Sequence, residues 1–416
     1  MIFIIFSANI LYGQQPDPGF PDKGLEDIIK ASVETNTDLT PVEFEKKILS
    51  AKIDQSNFQS SPMLQFMVDF IPVNFSSAGE YVFIYSQPLK LFGKLDAEER
   101  LARVNSLKPQ IIRNELENKL IMSVKENYFM LSVSEKLLSF NNEFREILNS
   151  IKGSLEIRYS SGKGSQYDIL KSNNEYQKLL LEEIELTNNR KIFINNLRTL
   201  SNLDLPDDFK TKNVEILLNI PGMLLDTAKL IPELKDNNTD FKLAGQMLEE
   251  NKAGTEVTAL ERKPDLNLMT GYKYKSDMKA GFLMFSVAVD LPFMPWNEKR
   301  IDAEIKENIF REKKINSEVR SLEINLKNEM KNLIVRINNS TEKIKYLTDV
   351  LIPQTEQTYK SALIAYETNA GQFIDLLDTF RTLRENNKML VEEETNYLVL
   401  ISKLENLIGK QILTIN

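Results

Sequence analysis

A twelve-residue stretch, YSSGKGSQYDIL at Tyr159–Leu170, is written again as YETNAGQFIDLL at Tyr366–Leu377. Tyr159 matches Tyr366, Gly164 matches Gly371, Asp168 matches Asp375 and Leu170 matches Leu377, each pair 207 positions apart. Leu197 with Leu404, and Leu200 with Leu407, keep the same spacing. Upstream, SQPL at Ser86–Leu89 pairs with DLPF at Asp290–Phe293, 204 positions on, and Pro62 pairs with Pro264, 202 positions on. A nearly constant offset across separate anchors points to one structural unit used twice. The expected repeats are residues 14–205 and 206–416.

Each half reads as helix, two strands, a very long helix, a tight turn and a long helix. The expected first helices are Leu25–Phe58 and Leu224–Leu260. The hairpins are Lys94–Tyr159 with Ser165–Leu203, and Asn297–Tyr366 with Gln372–Ile412. Gly and Pro number only 15 each, which favours long helices over a loop-rich fold. In the last helix Leu376, Phe380, Leu383, Asn387, Leu390, Glu394, Tyr397, Ile401, Leu404 and Ile408 recur in alternating steps of four and three, the spacing of a coiled coil. Leu179, Leu186, Phe193 and Leu200 recur every seven. A helix from Lys94 to Tyr159 would span roughly 100 Å, too long for a compact domain, with a kink at Pro109.

The strand candidates, Met63–Ile71, Tyr81–Gln87, Leu266–Tyr274 and Phe282–Asp290, alternate well. Leu64, Phe66, Val68 and Phe70 share one face, as do Leu266, Leu268, Thr270, Tyr272 and Tyr274, and Leu283, Phe285, Val287 and Val289. The first thirteen residues, MIFIIFSANILYG, read as the apolar part of a secretory signal cleaved near Gly13–Gln14, without a basic leader. No later stretch is long and apolar enough for a membrane helix, so a membrane crossing requires a β-barrel. From the strands alone, a half-buried sheet in a soluble α+β protein fits equally; the signal and the duplication favour the barrel. A membrane barrel needs about 8 strands or more, so four must be completed by other chains, to eight in a dimer or twelve in a trimer.

Composition narrows the chemistry. The chain has no Cys and no His, which removes thiol nucleophiles, disulfides, Cys/His metal sites and imidazole-based triads. Its net charge is −8 and it carries no Lys/Arg block, so a nucleic-acid partner is not expected. The methionines look scattered along the chain, with no soft-metal motif. No carboxylate pair argues for hydrolysis, and Glu392–Glu394 reads as a solvated helix face. No catalytic centre, metal or cofactor is expected.

These features resemble the TolC-like outer-membrane efflux proteins, which include the cation-efflux ducts. The carriers are KPDL at Lys263–Leu266 before a strand, and QPL at Gln87–Leu89 and LPF at Leu291–Phe293 leading into long helices. The Tyr-to-Asp-Leu turns at Tyr159–Leu170 and Tyr366–Leu377, and the closing LENLIG at Leu404–Gly409, complete them. The resemblance implies a mainly α chain with a small β part. Four strands per chain would complete a twelve-stranded transmembrane barrel in a homotrimer, and long coiled-coil helices would form a periplasmic α-barrel. The implied partners are outer-membrane lipid, a periplasmic adaptor and an inner-membrane pump or type I exporter, in a Gram-negative envelope. Asp375 and Asp378 fall on the family's acidic tip, and Asp168 and Tyr366 on positions that help hold it closed. Gly162 fits a family glycine after the turn tyrosine. In the second repeat Asn369 and Gly371 stand there, without a basic latch.

The tip residues also have plain readings. Ser165 and Asp168 form a candidate capping box. Asp375 and Asp378, three apart on one helix face, repel by a few tenths of a kcal/mol, roughly, which a solvated pore mouth tolerates. Tyr159 and Tyr366 end long helices, and ring packing against the hairpin is favoured over a gating hydrogen bond. Gly162, Gly164 and Gly371 are the turn residues. The competing function is a periplasmic coiled-coil scaffold without a channel.

Overall fold

The computed structural model describes residues 24–70, 79–212 and 226–412. The expected signal segment, the strand end at Ile71 and the helix start at Leu224 lie outside these residues.

Where one helix was expected from Leu25 to Phe58, two form: α1 (Leu25–Thr35) and α2 (Thr40–Ser56), joined by a short 3-10 turn at Thr37–Leu39. The break is at Asn36. Its Oδ1 accepts from the Asp38 N–H at 2.9 Å, and its Nδ2 donates to the Leu200 carbonyl at 3.0 Å. The second half repeats the arrangement, with α6 (Thr227–Asn237) and α7 (Thr239–Leu260) broken at Asn238. Asn238 Oδ1 accepts from Asp240 N–H at 2.9 Å, and its Nδ2 donates to Leu407 at 2.8 Å. A short carboxamide competes with the backbone for its own N–H groups, so it starts a helix better than it continues one. The same Asn-Thr-Asp triplet stands at both breaks, and the two tethered carbonyls are 207 positions apart.

The first long helix also divides, into α3 (Lys94–Asn105) and α4 (Lys108–Ser160). Pro109 sits in the first turn of α4, where its missing N–H costs nothing, so it starts a new helix instead of kinking an old one. α5 (Gln166–Ser201) runs back beside α4. In the second half α8 (Pro295–Tyr346) passes through a wide π-type turn at Leu347–Leu351 into α9 (Ile352–Glu367), which has Pro353 in its first turn. The loosened turn lies where Pro353 has no N–H to return. α10 (Phe373–Ile408) closes the chain. α5 and α10 end at Asn202 (φ 52°) and Gly409 (φ 77°), again 207 apart, in the left-handed conformation that terminates helices.

The four strands, β1 (Met63–Asp69), β2 (Glu80–Leu89), β3 (Leu266–Lys275) and β4 (Ala280–Val289), make one antiparallel sheet in the order β1-β2-β3-β4. β1 and β4 are its edges, so each pairs on one side only among the described residues. The core lies among the helices. A central cluster joins α1, α4, α5, α6, α8 and α10 around Tyr128, Phe129, Ile194, Ile337 and Ile401, and a second sits near the helix-hairpin ends around Phe144, Leu155, Leu376 and Phe380. The coiled-coil positions Leu376, Phe380, Leu383, Tyr397, Ile401, Leu404 and Ile408 are buried, while Asn387 and Glu394 are only partly so.

Candidate functional site

The two helix hairpins turn in the same way. In the α4–α5 turn, Gly162 N–H donates to Tyr159 at 3.0 Å and Lys163 N–H to Arg158 at 2.9 Å. In the α9–α10 turn, Asn369 N–H donates to Tyr366 at 3.2 Å and Ala370 N–H to Ala365 at 2.8 Å. Gly162 (φ 72°) and Asn369 (φ 60°) occupy the left-handed region at equivalent places, which explains why one turn can use Asn where the other uses Gly. Gly164 is needed for space: a Cβ there would lie 2.8 Å from the Tyr159 nitrogen. Gly371 has a similar fit, 3.1 Å from the Ala365 Cβ.

The two turn tyrosines part company. Tyr366 is 7% exposed and packs edge-on to Phe373 with ring centroids 6.1 Å apart. Tyr159 is 49% exposed, so the expectation that both rings pack the hairpin holds for one alone. The contact missing from the sequence reading is Arg158. Its Nη1 donates to the Tyr366 carbonyl at 2.9 Å, and its guanidinium lies 4.4 Å from the centre of the Tyr366 ring. A basic residue therefore does join the two tips, but from the first hairpin. Its counterpart 207 positions on is Ala365, which cannot reciprocate.

Asp168 forms only half of the expected box. Ser165 Oγ accepts from Tyr167 N–H at 3.1 Å, whereas no hydrogen bond of the Asp168 carboxylate is present among the described residues. Burial raises its pKa against the pull of Lys171, so it is held less firmly as an anion than an exposed aspartate. No hydrogen bond joins it to Tyr366 among the described residues. Asp375 and Asp378 are exposed on the first turns of α10. One turn beyond, Arg381 pairs with the buried Glu175 of α5, and Glu182 lies 3.7 Å from Arg384 and 3.3 Å from Lys388. Acids on α5 thus face bases on α10, tying the first hairpin to the second. Burial alone would raise the Glu175 pKa, but the Arg381 hydrogen bond and charge, helped by Lys178 and Arg384, bring it below the ordinary glutamate range.

In the sheet, register sorts the strand residues onto two faces. Leu64, Tyr85, Thr270 and Phe285 align across the sheet on one of them, as do Phe66, Phe83, Tyr272 and Leu283. This face is open: Phe285 is 81%, Leu64 77% and Leu283 74% exposed. The opposite face carries Gln65, Ser86, Asn267, Ser286, and Glu80 in an ion pair with both Lys273 and Lys275. Leaving a large apolar side chain in water instead of burying it forgoes about 1.5–3 kcal/mol, so a sheet with so many needs an apolar surrounding. Ten-residue strands run roughly 33 Å, and tilted by about 40° they match an apolar band of about 25 Å.

No family model matches this chain. The cobalt-zinc-cadmium resistance protein CzcC of Cupriavidus metallidurans is 21% identical over 301 residues, 71% of this chain and 69% of CzcC. The outer-membrane channel OprN superposes with a TM-score of 0.77 at 14% identity, over 93% of this chain and 90% of OprN. The chain has the TolC-like outer-membrane channel fold. The open-state MtrE channel of Neisseria gonorrhoeae superposes on it at 0.74 and 14% identity, covering 94% of this chain and 91% of MtrE. The outer-membrane protein VceC of Vibrio cholerae does so at 0.73 and 13% identity, covering 94% and 97%. In this channel fold, the apolar strand face and the far-off hairpin tips are the two ends of one elongated molecule. Among the described residues no helix is long and apolar enough to cross a membrane, and no cluster of acidic residues could hold a metal ion.

Proposed function

We propose that three copies of this chain form a passive duct through the outer membrane and periplasm, working as the outer-membrane part of a tripartite efflux or type I secretion system. The observation that carries this reading is the four-stranded sheet, with one exposed apolar face, an opposite face that mixes polar and charged residues with methionines and other apolar ones, and both edges unpaired among the described residues. An open sheet cannot sit in lipid with its edge N–H and C=O groups unsatisfied. Pairing β4 of one copy with β1 of the next removes every edge and yields twelve strands, with the apolar face to lipid and the Glu80–Lys273–Lys275 face to the lumen. The helices then continue the tube: α8 through α9 spans roughly 110 Å at about 1.5 Å per residue. Both halves derive from one duplicated unit, which gives a trimer six similar hairpins around its axis.

The hairpin tips form the narrow end, where an adaptor and an inner-membrane pump engage. Asp375 and Asp378 line the mouth, six carboxylates in a trimer, and favour cations there. Catalysis has no place in this reading, since a duct moves its cargo by connection to a pump. The scaffold alternative leaves the apolar strand face without a purpose. Fractionation tests the proposal: a heat-resistant trimer extracted only by detergent from outer membranes, conducting in planar bilayers and blocked from the tip side by a trivalent cation, is the expected result. A water-soluble, non-conducting protein would overturn it.

A further inference from the structure

Read along the chain, the methionines look scattered. Read across the sheet, they do not. All four strand methionines, Met63, Met67, Met269 and Met284, fall on the face opposite the apolar one. Met63, Ser86, Met269 and Ser286 form one row across all four strands. In the next row Gly271 pairs with Met284, whose methyl carbon leans over Gly271, 3.3 Å from where a Cβ would be. A Cβ on Gly271 would also lie 2.5 Å from the Phe83 carbonyl oxygen, so glycine here admits the close β2 backbone as well as the Met284 methyl group. The two thioethers lie on diagonal neighbours of adjacent strands, about 7–8 Å apart at the backbone, within reach of a common atom for side chains of this length.

Methionine ordinarily fills irregular gaps in a core. None of the four belongs to the buried hydrophobic clusters: Met269 and Met284 are half-buried, and Met63 and Met67 are exposed. Ser86, the polar residue between Met63 and Met269, has its hydroxyl committed to Asn267 Oδ1 at 2.8 Å. The row of Met63, Ser86, Met269 and Ser286 carries no charge, and on the same face Lys273 and Lys275 are both engaged by Glu80. A neutral thioether patch on a wetted surface is poor for hard cations and suited to soft monovalent ones, Cu(I) and Ag(I).

We propose that Met269 and Met284 form a soft-metal site on the lumenal strand face, with Met63 and Met67 as neighbouring weaker ligands, giving the barrel a thioether lining on which Cu(I) or Ag(I) pauses in transit. Assignment of this face to the lumen rests on the duct reading; the Met269–Met284 pairing does not. The chain is well suited to a test, because with no Cys and no His its 13 methionines are its only soft side-chain ligands.

The probe is silver nitrate in chloride-free buffer, added to detergent-solubilised protein carrying 13C-methyl methionine. The Met269 and Met284 methyl signals are expected to shift together and saturably, at concentrations at least tenfold below those that move Met278 and Met389, exposed methionines elsewhere in the molecule. Replacing both by leucine (Met269→Leu with Met284→Leu), a change of similar volume, should abolish that tight phase. Met278→Leu should leave it intact. If all exposed methionines shift alike, or none does, the site does not exist. In planar bilayers, silver should lower the conductance of the wild-type channel and spare the double variant. A wild-type channel that conducts normally and ignores silver overturns this site and leaves the duct standing, whereas absence of any channel overturns the duct.

Discussion

Replacing Arg158 by Ala is expected to loosen the contact between the two hairpin tips. The guanidinium makes a charge-assisted hydrogen bond to the Tyr366 carbonyl at 2.9 Å and stacks on its ring at 4.4 Å. A hydrogen bond to a charged group contributes about 1.5–3 kcal/mol and an exposed cation–π contact about 0.5–1 kcal/mol. Arg158 is only half-buried, so solvent screening takes the pair to the low end, about 2 kcal/mol per protomer. At about 1.4 kcal/mol per factor of ten, this shifts the opening equilibrium of each hairpin pair roughly 30-fold. Arg158→Lys keeps the charge, loses the planar stacking and should fall between. Single-channel recording reads the effect as longer or larger openings without adaptor present. Wild-type conductance and dwell times in Arg158→Ala would refute the idea that this contact holds the tips together.

Three other outcomes follow from the same geometry. Val287→Arg, on the apolar face opposite Leu268, should cost about 2–4 kcal/mol per copy near the middle of the bilayer and reduce trimer yield in membranes, while Ser286→Arg on the other face should assemble. Gly164→Val must displace the Tyr159 backbone, at about 1–3 kcal/mol for overpacking, and should weaken export with the barrel intact, measured by efflux from cells and trimer yield in parallel. Because the Glu175 pKa is lowered in the folded state, its pairing with Arg381 stabilises fully above the unfolded glutamate value of about 4.3 and is lost as pH falls through the folded value. Conductance should therefore rise below about pH 4 in the wild type, and Glu175→Gln should already be loosened at neutral pH, with no further acid step from this site.

Much of the fold could be read from residue spacing, because the features that fix it are local. The strand alternation placed all four strands within a few residues of where they form, and Gly162, Gly164 and Gly371 marked the turns because tight turns need those residue types. Pro109 marked a boundary correctly but was read as a kink. The breaks at Asn36 and Asn238 were missed, although the repeated Asn-Thr-Asp triplet was the available signal. Arg158 could not be found by comparing repeats, since its partner is a backbone carbonyl 208 residues away and its counterpart is Ala365. Spacing alone marks Asp168 as a cap, yet its carboxylate makes no hydrogen bond among the described residues. The methionine face was invisible until strand register brought residues about 200 positions apart into one row.

The duct requires the sheet to be closed by neighbouring copies, β4 of one against β1 of the next. A chain with no native Cys allows a direct test by disulfide trapping. Phe66→Cys in β1 is combined in turn with Leu283→Cys, Phe285→Cys or Val287→Cys in β4, and membranes are oxidised mildly before denaturing electrophoresis. Within one chain these strands are separated by β2 and β3, beyond the ~5.5–6 Å between Cα atoms that a disulfide usually spans. The account predicts a ladder ending at covalent trimers for the pairing in register, and none for either single-Cys variant. Folded, membrane-inserted protein that yields no intermolecular cross-link in any of the three pairings would contradict it.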